Sequence, residues 1–445
     1  MATLNYCKKT KEELINLLLQ KDKEIEALKN ENTGLKKKNI PKFVKATLPK
    51  KRKKKPGRKQ GHLGITRSKP SHIDETIEST LSACPECNNA LGTPIESFDH
   101  LQEDIIPAHV KVTCYTKHRY WCSCCQKVVT APYDTTEIPH GYLGPNALVH
   151  ALLLKYHHHM PYASIKEVFS SFAQMHVSEG ALAQALGRMS AWLKVEETAI
   201  LKALRSSPVV HMDETGWRID GTNHWLWNLV NKRLAYYHID RSRSGKVAQS
   251  MIGEEYDGTL ITDFYSAYRK IKSKKQKCIV HLLREMNRCR TSDTSKEFQV
   301  HYKKLKRILT DAHRLKEKRS ELGPLVFSRR LTLLKERLLT FSCGAFTNKN
   351  WQRLSKRLLD YYEELLIFVS HPNIPADNNH AERLIRPNVI NRNRSFGNRS
   401  RKGADTHATL MSILHSLKLQ EQNLFESFKL AYLSHRQNPQ KALLF

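Results

Sequence analysis

The stretch VHMDET, residues 210–215, decides the fold of this chain, because a β-type run ends there in acidic residues. The run at 208–212 is followed by four more of the same type, at 225–230, 234–239, 258–262 and 277–281. Turn-forming Asp-Gly pairs at 220–221 and 257–258 separate neighbouring runs. Five strands, three of them in an early meander, predict a mixed sheet and an α/β fold class.

A second acidic residue ends another of these runs, in LITDF at 260–264. Asp213 closes the first run and Asp263 closes the fourth. If those two strands are neighbours, both carboxylates reach one end of the sheet, where their hard oxygen atoms suit Mg²⁺. The sequence therefore places a candidate metal site at that end.

The third acid stands much later, in NNHAER at 378–383. Residues 377–379 are Asp, Asn and Asn, which are good helix N-caps. We expect Glu382 in the first turn of a helix that ends before Pro387. A helix start is a position from which Glu382 can be presented to the two aspartates.

The charge of the chain is strongly positive, at +31, with 74 Lys and Arg against 43 Asp and Glu. Such a balance indicates a polyanionic partner such as nucleic acid. A basic chain that keeps three carboxylates, each within a distinctive local sequence, is expected to act on phosphodiesters. No stretch approaches the ~18 apolar residues of a membrane span, and the polar start lacks the apolar core of a signal peptide, so we expect an intracellular protein without membrane contact.

The first forty residues show a heptad pattern. Leu14, Lys21, Leu28 and Leu35 share one seam position, and Leu18, Ile25 and Asn32 share the other. This pattern predicts a short coiled coil, and a buried Asn pair would favour a parallel dimer. A solitary amphipathic helix is the alternative.

A basic segment follows, with thirteen Lys or Arg and no acid between 35 and 59. Such a run cannot build a packed core. We expect it to bind DNA without sequence preference, through residues that include Lys53 and Arg58. Insertion of Arg58 into a minor groove is a less favoured interpretation. A solvated linker or a localisation signal is the alternative.

Two cysteine pairs come next, Cys84 with Cys87 and Cys122 with Cys125. Four thiolates from two such knuckles complete the closed tetrahedral shell of a structural Zn²⁺. Strands between the pairs are expected to bring them together. Cys124 is an alternative ligand, and buried or redox-active thiols are the alternative to zinc. Asn88 and Gln126 occupy positions where knuckles favour Gly, and Asn tolerates the positive φ required.

Two further regions have helical patterns, 145–205 and most of 286–372. A helix start at Ser178 makes a helix-turn-helix arrangement one interpretation of the first region, and a packed support for the catalytic part is the other. The second region is basic and is interpreted as an all-helical insertion.

Four blocks carry a resemblance to a known family: HMDETGW at 211–217, TDF at 262–264, CIVH at 278–281 and NNHAER at 378–383. With the heptad start, the segment PGRKQGH at 56–62 and the paired cysteines, they resemble the insertion-sequence-66 family of bacterial DDE transposases over nearly the whole chain. The sequence departs from that family after the Glu382 helix, where NRNRSFGNRSRKG at 391–403 replaces a Gly-rich tail.

The resemblance implies an RNase H-like catalytic fold in which Asp213, Asp263 and Glu382 bind Mg²⁺ or Mn²⁺. Cys278 and His281 would support that site. It also implies a cytoplasmic, nucleoid-associated transposase that cuts DNA at the ends of its element with water and joins the freed 3′-hydroxyl to target DNA. Transposon ends, target DNA, a homodimer or higher oligomer and small accessory proteins are the implied partners.

The chain is thus predicted to be a multidomain α/β protein of seven segments. These are a coiled coil (1–40), a basic linker (41–80), a zinc ribbon (81–132), a helical and possibly DNA-binding region (133–205), the first part of an RNase H-like core (206–285), a helical insertion (286–372), and the second part of the core with the Glu382 helix and C-terminal helices (373–445).

Basic and aromatic residues around the acids have two interpretations each. Guanidinium groups after Glu382 suit DNA phosphates, although a solvated basic surface is the alternative; the candidates are Arg383, Arg386, Arg392, Arg394, Arg399 and Arg401. Trp217 would stack on an unpaired base or belong to the core. Glu214 is interpreted as structural, since it faces away from Asp213 on a strand. A DNA-binding relative without activity and a nuclease that cuts without joining are the rival functions.

Overall fold

The computed structural model describes residues 72–93, 95–96, 101–102, 109–139, 141–437 and 442–445, together with Gln20. It divides the chain into two compact units, Met1–Pro107 and Ala108–Phe445. The predicted coiled coil, apart from Gln20, and the basic segment with Lys53 and Arg58 lie outside the described residues.

The second unit begins with a small hairpin and continues with a five-stranded sheet. The hairpin joins β1 (Arg119–Cys122) to β2 (Lys127–Thr130). The sheet consists of β3 (Val209–Ile219), β4 (Thr222–Val230), β5 (Ala235–Asp240), β6 (Thr259–Thr262) and β7 (Lys274–Lys277). Its order is β5-β4-β3-β6-β7, in which β3, β4 and β5 are antiparallel and β6 and β7 run parallel to β3. The predicted mixed sheet with an early meander is confirmed.

Helices surround this sheet. Before it come α1 (Pro145–Leu152), extended by a π-helical turn (Leu153–His157), α2 (Tyr162–Ala173), α3 (Glu179–Trp192) and α4 (Lys194–Arg205). Between the strands lie α5 (Gly245–Ile252) and a 3₁₀ turn (Ser266–Lys270). After it come α6 (Ile279–Ser292), α7 (Lys296–Glu317), a 3₁₀ turn (Lys318–Ser320), α8 (Pro324–Ser342), α9 (Lys349–Asp360), α10 (Tyr362–Leu365), α11 (Ile367–Ser370), α12 (Asn379–Ser395), α13 (Arg401–Leu419) and α14 (Leu424–Gln437).

The predicted helices at 145–205 are confirmed, and Ser178 begins α3 as expected, since its hydroxyl accepts the N–H of Ala181 at 3.1 Å. The predicted fifth strand, 277–281, was placed too late. The strand ends at Lys277, and α6 begins at Ile279. Buried residues in α6 recur at helical spacing, at Ile279, Leu282, Met286 and Cys289, so the longer period decides the conformation.

Two hydrophobic cores meet at β6. Leu260 belongs to the core that α1–α4 and α12–α14 share with the sheet. Ile261, the next residue, belongs to the core of α6–α11, which contains Trp351. Because side chains alternate between the faces of a strand, this short strand joins the helical segment after β7 to the rest of the unit. No helix among the described residues is long and apolar enough to cross a membrane.

Helix α13 covers the edge strand β5. Ser412 and Ser416 accept hydrogen bonds from the backbone N–H groups of Tyr237 and Ala235, each at 2.9 Å. These serines satisfy donors that an uncovered edge strand would offer to another chain. The sheet is therefore closed on the side away from β7.

Two buried histidines of α13 predict acid-sensitive stability. Burial lowers the pKa of His407 and of His415 to about 3. In the unfolded chain the pKa of a histidine is about 6.5, so below that pH the unfolded state takes up protons that the folded state does not. The free energy of unfolding is therefore unaffected by the titration of these histidines above about pH 6.5 and falls as the pH drops toward 3, by about 1.4 kcal/mol per pH unit for each histidine. In urea titrations between pH 7 and pH 5, His407→Leu should lose stability less steeply than wild type. An equal slope in both proteins would contradict the assignment.

Candidate active site

Asp213 lies on β3, and Asp263 directly follows β6, the parallel strand beside it. Val209, Val210 and His211 of β3 pair with Thr259, Leu260 and Ile261 of β6. Continuing this register by two residues sets the first aspartate opposite the second. Neighbouring strands are about 4.8 Å apart, so the two acids stand side by side where β6 ends, as the sequence predicted for adjacent strands. Asp213 does not close its own strand as we predicted, because β3 continues to Ile219.

The environment of Asp213 is crowded with negative charge. Burial raises its pKa well above the usual range, and the carboxylates of Glu214, Asp263 and Glu382 raise it further. Its Oδ1 accepts the backbone N–H of Glu214 at 3.0 Å. Since each of these acids makes the ionisation of Asp213 less favourable, a bound cation would relieve their repulsion.

Glu214 has its own partners. Its carboxylate is 2% exposed, accepts a hydrogen bond from the Tyr268 hydroxyl and forms an ion pair with Arg243 at 2.7 Å. The Arg243 guanidinium lies between two rings, 4.3 Å from the centroid of Trp225 and 3.9 Å from that of Tyr265. These contacts fit the structural role predicted for Glu214.

Asn378 fixes the start of the helix that carries Glu382. Its side chain is fully buried, where its amide donates to the Met212 carbonyl at 2.8 Å and its Oδ1 lies 3.0 Å from His211 Nδ1. Of the three capping candidates that we predicted, Asp377 accepts the N–H of Asn379 at 2.9 Å, whereas Asn378 makes no side-chain cap on α12. The side chain bonds β3 instead, directly before Asp213.

A second buried amide, that of Asn228 in β4, also connects β3 to α12. Its Oδ1 accepts the backbone N–H of Asp213 at 2.9 Å, and its Nδ2 donates to the Ala381 carbonyl at 3.0 Å. One side chain thus links the residue before Glu382 to the backbone of Asp213. Sequence reasoning missed Asn228, which is one polar residue within an apolar strand.

Helix α6 holds the Glu382 carboxylate from the other side. Arg284 Nη1 donates to both of its oxygens, at 3.1 and 3.3 Å, and His281 Nε2 lies 3.5 Å from Oε1. The His281 contact agrees with the predicted supporting role. Arg284 was missed, although its position three residues after His281 places it on the same helix face.

Cys278 is buried and supports the position of Glu382 indirectly, through the start of α12. Its sulfur accepts the N–H of Asn378 at 3.2 Å, and burial raises the pKa of its thiol to about 11. A thiol with this pKa stays protonated at neutral pH. Cys278 therefore acts by packing against the start of α12.

Lys277 was also missed, because it stood within a predicted strand. Its ammonium is fully buried and donates to Thr262 Oγ1 and to the Asp263 carbonyl, both at 3.0 Å. Glu364 of α10 lies 3.6 Å away as its counter-ion. Lys277 thus fixes the backbone that presents Asp263.

The arginines that follow Glu382 on α12 differ in exposure. We expected this helix to end before Pro387 and the next residues to form a loop, but it continues to Ser395. Buried contacts hold the later turns, including Asn388 Oδ1 at 2.8 Å from His407 Nε2. Arg392 is 7% exposed and bonds Thr215 and the Gly216 carbonyl, so its predicted role in binding DNA is wrong.

Arg383, Arg386 and Arg394 are exposed. Arg394 makes long contacts, at 3.4 Å, with the carbonyls of His158 and His159. These three guanidinium groups stay accessible to a phosphate.

Trp217 belongs to the core. It is 1% exposed, its indole N–H donates to Asn398 at 2.8 Å, and its ring centroid lies 4.8 Å from that of His407. The alternative in which Trp217 stacks on an unpaired base is wrong, because the side chain is buried.

The first cysteine pair forms a tight knuckle. The Asn88 N–H donates to the Cys84 carbonyl at 2.9 Å, and Asn88 adopts the positive φ of 61° that we expected. Backbone N–H groups of Cys87 and Glu86 lower the pKa of the Cys84 thiol. A lowered thiol pKa favours the thiolate that zinc requires.

The second pair is built in the same way. The Cys125 N–H donates to Cys122 Sγ at 3.4 Å, and hydrogen bonds of this kind lower the pKa of Cys122. Gln126 has φ of 49°. We predicted strands that would join the pairs, but the strand at 119–122 pairs with Lys127–Thr130 around its own knuckle.

Among the residues that the structure describes, no group of three or more His, Cys, Asp or Glu is arranged to hold a metal ion. The donor types around Asp213 nevertheless fit a hard divalent cation, because the neighbouring groups that raise its pKa are carboxylates. The Glu382 carboxylate is engaged by Arg284 and His281.

Comparison with known families gives two matches. The model described as "Transposase IS66 family" matches residues 140–406, more than half of the chain. The model described as "zinc-finger binding domain of transposase IS66" matches residues 82–126.

Two similar proteins come from Sinorhizobium fredii (strain NBRC 101917 / NGR234), and both are described as uncharacterized. One, y4jD, is 25% identical over 388 residues, which covers 79% of this chain and 74% of the relative. The other, y4qI, is 24% identical over 379 residues, with 78% and 69% covered.

Proposed function

Because the chain belongs to the IS66 family of transposases, we propose that it cleaves DNA at the ends of its own insertion sequence and joins the freed strands to target DNA. The observation that supports this proposal is the electrostatic effect of Asp263 and Glu382 on Asp213. These three residues lie far apart in sequence. Buried amides bond the strand of Asp213 to the helix of Glu382.

An RNase H-like catalytic core is part of the proposal. Three antiparallel strands followed by two parallel ones support it, with one aspartate within β3 and the other directly after the neighbouring β6. The all-helical stretch from α6 to α11 separates the second aspartate from the glutamate, which supports an insertion at 286–372 and a core divided into 206–285 and 373–445.

Asp213, Asp263 and Glu382 would hold Mg²⁺ or Mn²⁺ in this site. Such ions, when bound, activate the attacking hydroxyl and stabilise the leaving oxygen of a phosphodiester. Lys277 keeps the Asp263 backbone in place, and Arg284 and His281 orient Glu382. Arg383, Arg386 and Arg394 are exposed on the same helix as Glu382 and would bind the phosphates of the DNA.

The direct test is incubation of the full chain with Mg²⁺ and DNA that carries the ends of its element. We expect cleaved ends and joined products. Cleavage without joining would indicate a nuclease, and binding without cleavage would indicate an inactive DNA-binding relative; either outcome would contradict transposition.

The cysteine knuckles would bind one structural zinc ion through Cys84, Cys87, Cys122 and Cys125. The match to the IS66 zinc-finger domain supports zinc, and the lowered pKa values of Cys84 and Cys122 suit it. Cys124 is the alternative to one of these four ligands.

Purified wild-type protein should contain one zinc per chain, and Cys87→Ser should contain none or bind it far more weakly, because a structural zinc needs its full ligand shell. Metal analysis of the dialysed proteins measures this. Cys343→Ser, an exposed free cysteine outside both knuckles, is the matched control. Unchanged zinc in Cys87→Ser would contradict the ligand set.

The remaining segments are proposed to serve DNA binding and assembly. The basic linker at 41–80 would contact DNA through Lys53 and Arg58, and the coiled coil at 1–40 would form a homodimer or part of a higher oligomer. The helices at 133–205 fit a supporting role better than a recognition role, because the exposed face of α3 carries one cation, Arg188. Nucleoid association and small accessory proteins follow from the same proposal.

A further inference from the structure

A cavity of about 610 Å³ lies beside the C-terminal end of α12. The π-helical turn, α2, α3, the segment 396–400 and the start of α13 line it. Neither Asp213, Asp263 nor Glu382 is among its lining residues, so it is distinct from the carboxylate site. Its volume falls within the roughly 300–1,000 Å³ of small-ligand pockets.

Four cations line the cavity: Lys155, Arg394, Arg399 and Lys402. In the described part of the chain, none of them forms an ion pair with a carboxylate, including that of Glu179, the one acid in the lining. This surplus of positive charge suits an anionic ligand.

Of the four lining cations, Lys155 is the one whose surroundings most favour a bound anion. Its ammonium is half-buried, donates to Ser395 Oγ at 3.2 Å and lies 4.5 Å from the centroid of the Tyr162 ring. Burial lowers its pKa to about 8. A cation removed from water is stabilised by a charged hydrogen-bond acceptor, and a phosphate oxygen is one.

The rim of the cavity presents an aromatic ring. Phe396 ends α12 with φ of 56°, an unusual conformation for a bulky residue, and its side chain is 83% exposed. The backbone after it is fixed, because the Asn398 N–H donates to the Arg218 carbonyl at 2.9 Å and a Cβ at Gly397 would collide with the same oxygen. The fixed backbone thus sets the position from which the apolar ring of Phe396 projects into solvent.

The floor of the cavity is closed by Trp217 and His407, which are themselves buried. Small residues of α3, including Gly180, Ala183 and Gly187, form one wall. The lining thus combines the exposed ring of Phe396, on which a flat ring can stack, with cations that can hold an attached phosphate.

We propose that this cavity binds one unpaired nucleotide of a DNA strand, with the base stacked on an aromatic ring and the phosphate held by the lining cations. The inference rests on the proposed action on DNA. A base in a duplex has both faces covered and cannot stack in this way, whereas a strand end or single-stranded tail offers an open face. A bare anion would satisfy the cations but would leave the exposed ring of Phe396 without a role.

The test compares two tryptophan substitutions in the full chain. Ala183→Trp fills the cavity from an exposed position of α3, and Ala181→Trp is the matched control on the same helix, exposed and outside the lining. The probes are a fluorescently labelled blunt duplex and the same duplex with a short single-stranded thymidine tail, measured by anisotropy without divalent cations.

Wild type and Ala181→Trp should bind the tailed duplex about tenfold more tightly than the blunt duplex, the scale of one stacked base. Ala183→Trp should bind both equally. Phe396→Asn removes the ring, keeps a residue that tolerates positive φ, and should also lose the preference without lowering the thermal midpoint.

Equal affinity of the wild type for both duplexes, or an undiminished preference in Ala183→Trp, would overturn the inference. These results are independent of catalysis. A wild type that prefers the tail yet produces no cleavage in Mg²⁺ would refute the proposed function and leave the nucleotide site standing.

Discussion

Asp213→Asn is expected to reduce DNA cleavage and joining by about 10³-fold or more while the protein stays folded, since the metal contribution to such reactions amounts to several kcal/mol. The asparagine keeps an oxygen that can accept the Glu214 N–H. It removes the charge that would attract a cation. Gel assays of element-end DNA in Mg²⁺ would measure the loss.

The thermal stability of Asp213→Asn provides a second measurement of its effect. Burial and the charges of Glu214, Asp263 and Glu382 raise the pKa of Asp213, so its charged form is unfavourable in the folded protein, and the neutral asparagine should not lower the thermal midpoint when divalent cations are absent. Asp257→Asn, at an exposed turn of the same unit, is the matched control and should retain full activity. Full joining by Asp213→Asn would show that the carboxylate is not required.

Asn378→Leu is expected to destabilise the protein by about 2–5 kcal/mol and to reduce joining by about 10²-fold. The substitution leaves the buried Met212 carbonyl and His211 without their partner, and each such loss costs about 1–3 kcal/mol. The start of α12 would then shift relative to β3, and a displacement of about 1 Å can reduce a rate 10²-fold. Urea denaturation and the joining assay measure the two effects.

Asn393→Leu is the control for this prediction, because Asn393 is exposed on the same helix. It should match wild type in both measurements. If Asn378→Leu were as stable and as active as Asn393→Leu, the buried amide would not position Glu382.

The sequence located the strands better at their starts than at their ends. The first run was predicted to stop at Met212, where polar residues begin, but β3 continues to Ile219. Nine residues of β3, His211–Ile219, pair with β4, and these cross-strand hydrogen bonds are indifferent to side-chain polarity. Local composition could not reveal this pairing.

The same limit explains Arg392 and Pro387. An arginine in a polar stretch looks like a surface group, and a proline usually ends a helix. In the fold, the guanidinium is bonded to Thr215 and Gly216, 177 and 176 residues earlier in the chain. Contacts over such distances leave no local pattern in the sequence.

The sequence by itself determined the family, the mixed sheet and the types of residue at the candidate site, because chemical type and hydrophobic period are local properties. The tertiary structure alone decided how Glu382 is held. Its position depends on Asn378, Asn228, Arg284 and His281, whose buried hydrogen bonds and ion pairs form only when β3, β4, α6 and α12 meet. A buried amide or charge must find its partner in space, and that requirement is set by the packed fold rather than by neighbours in the chain.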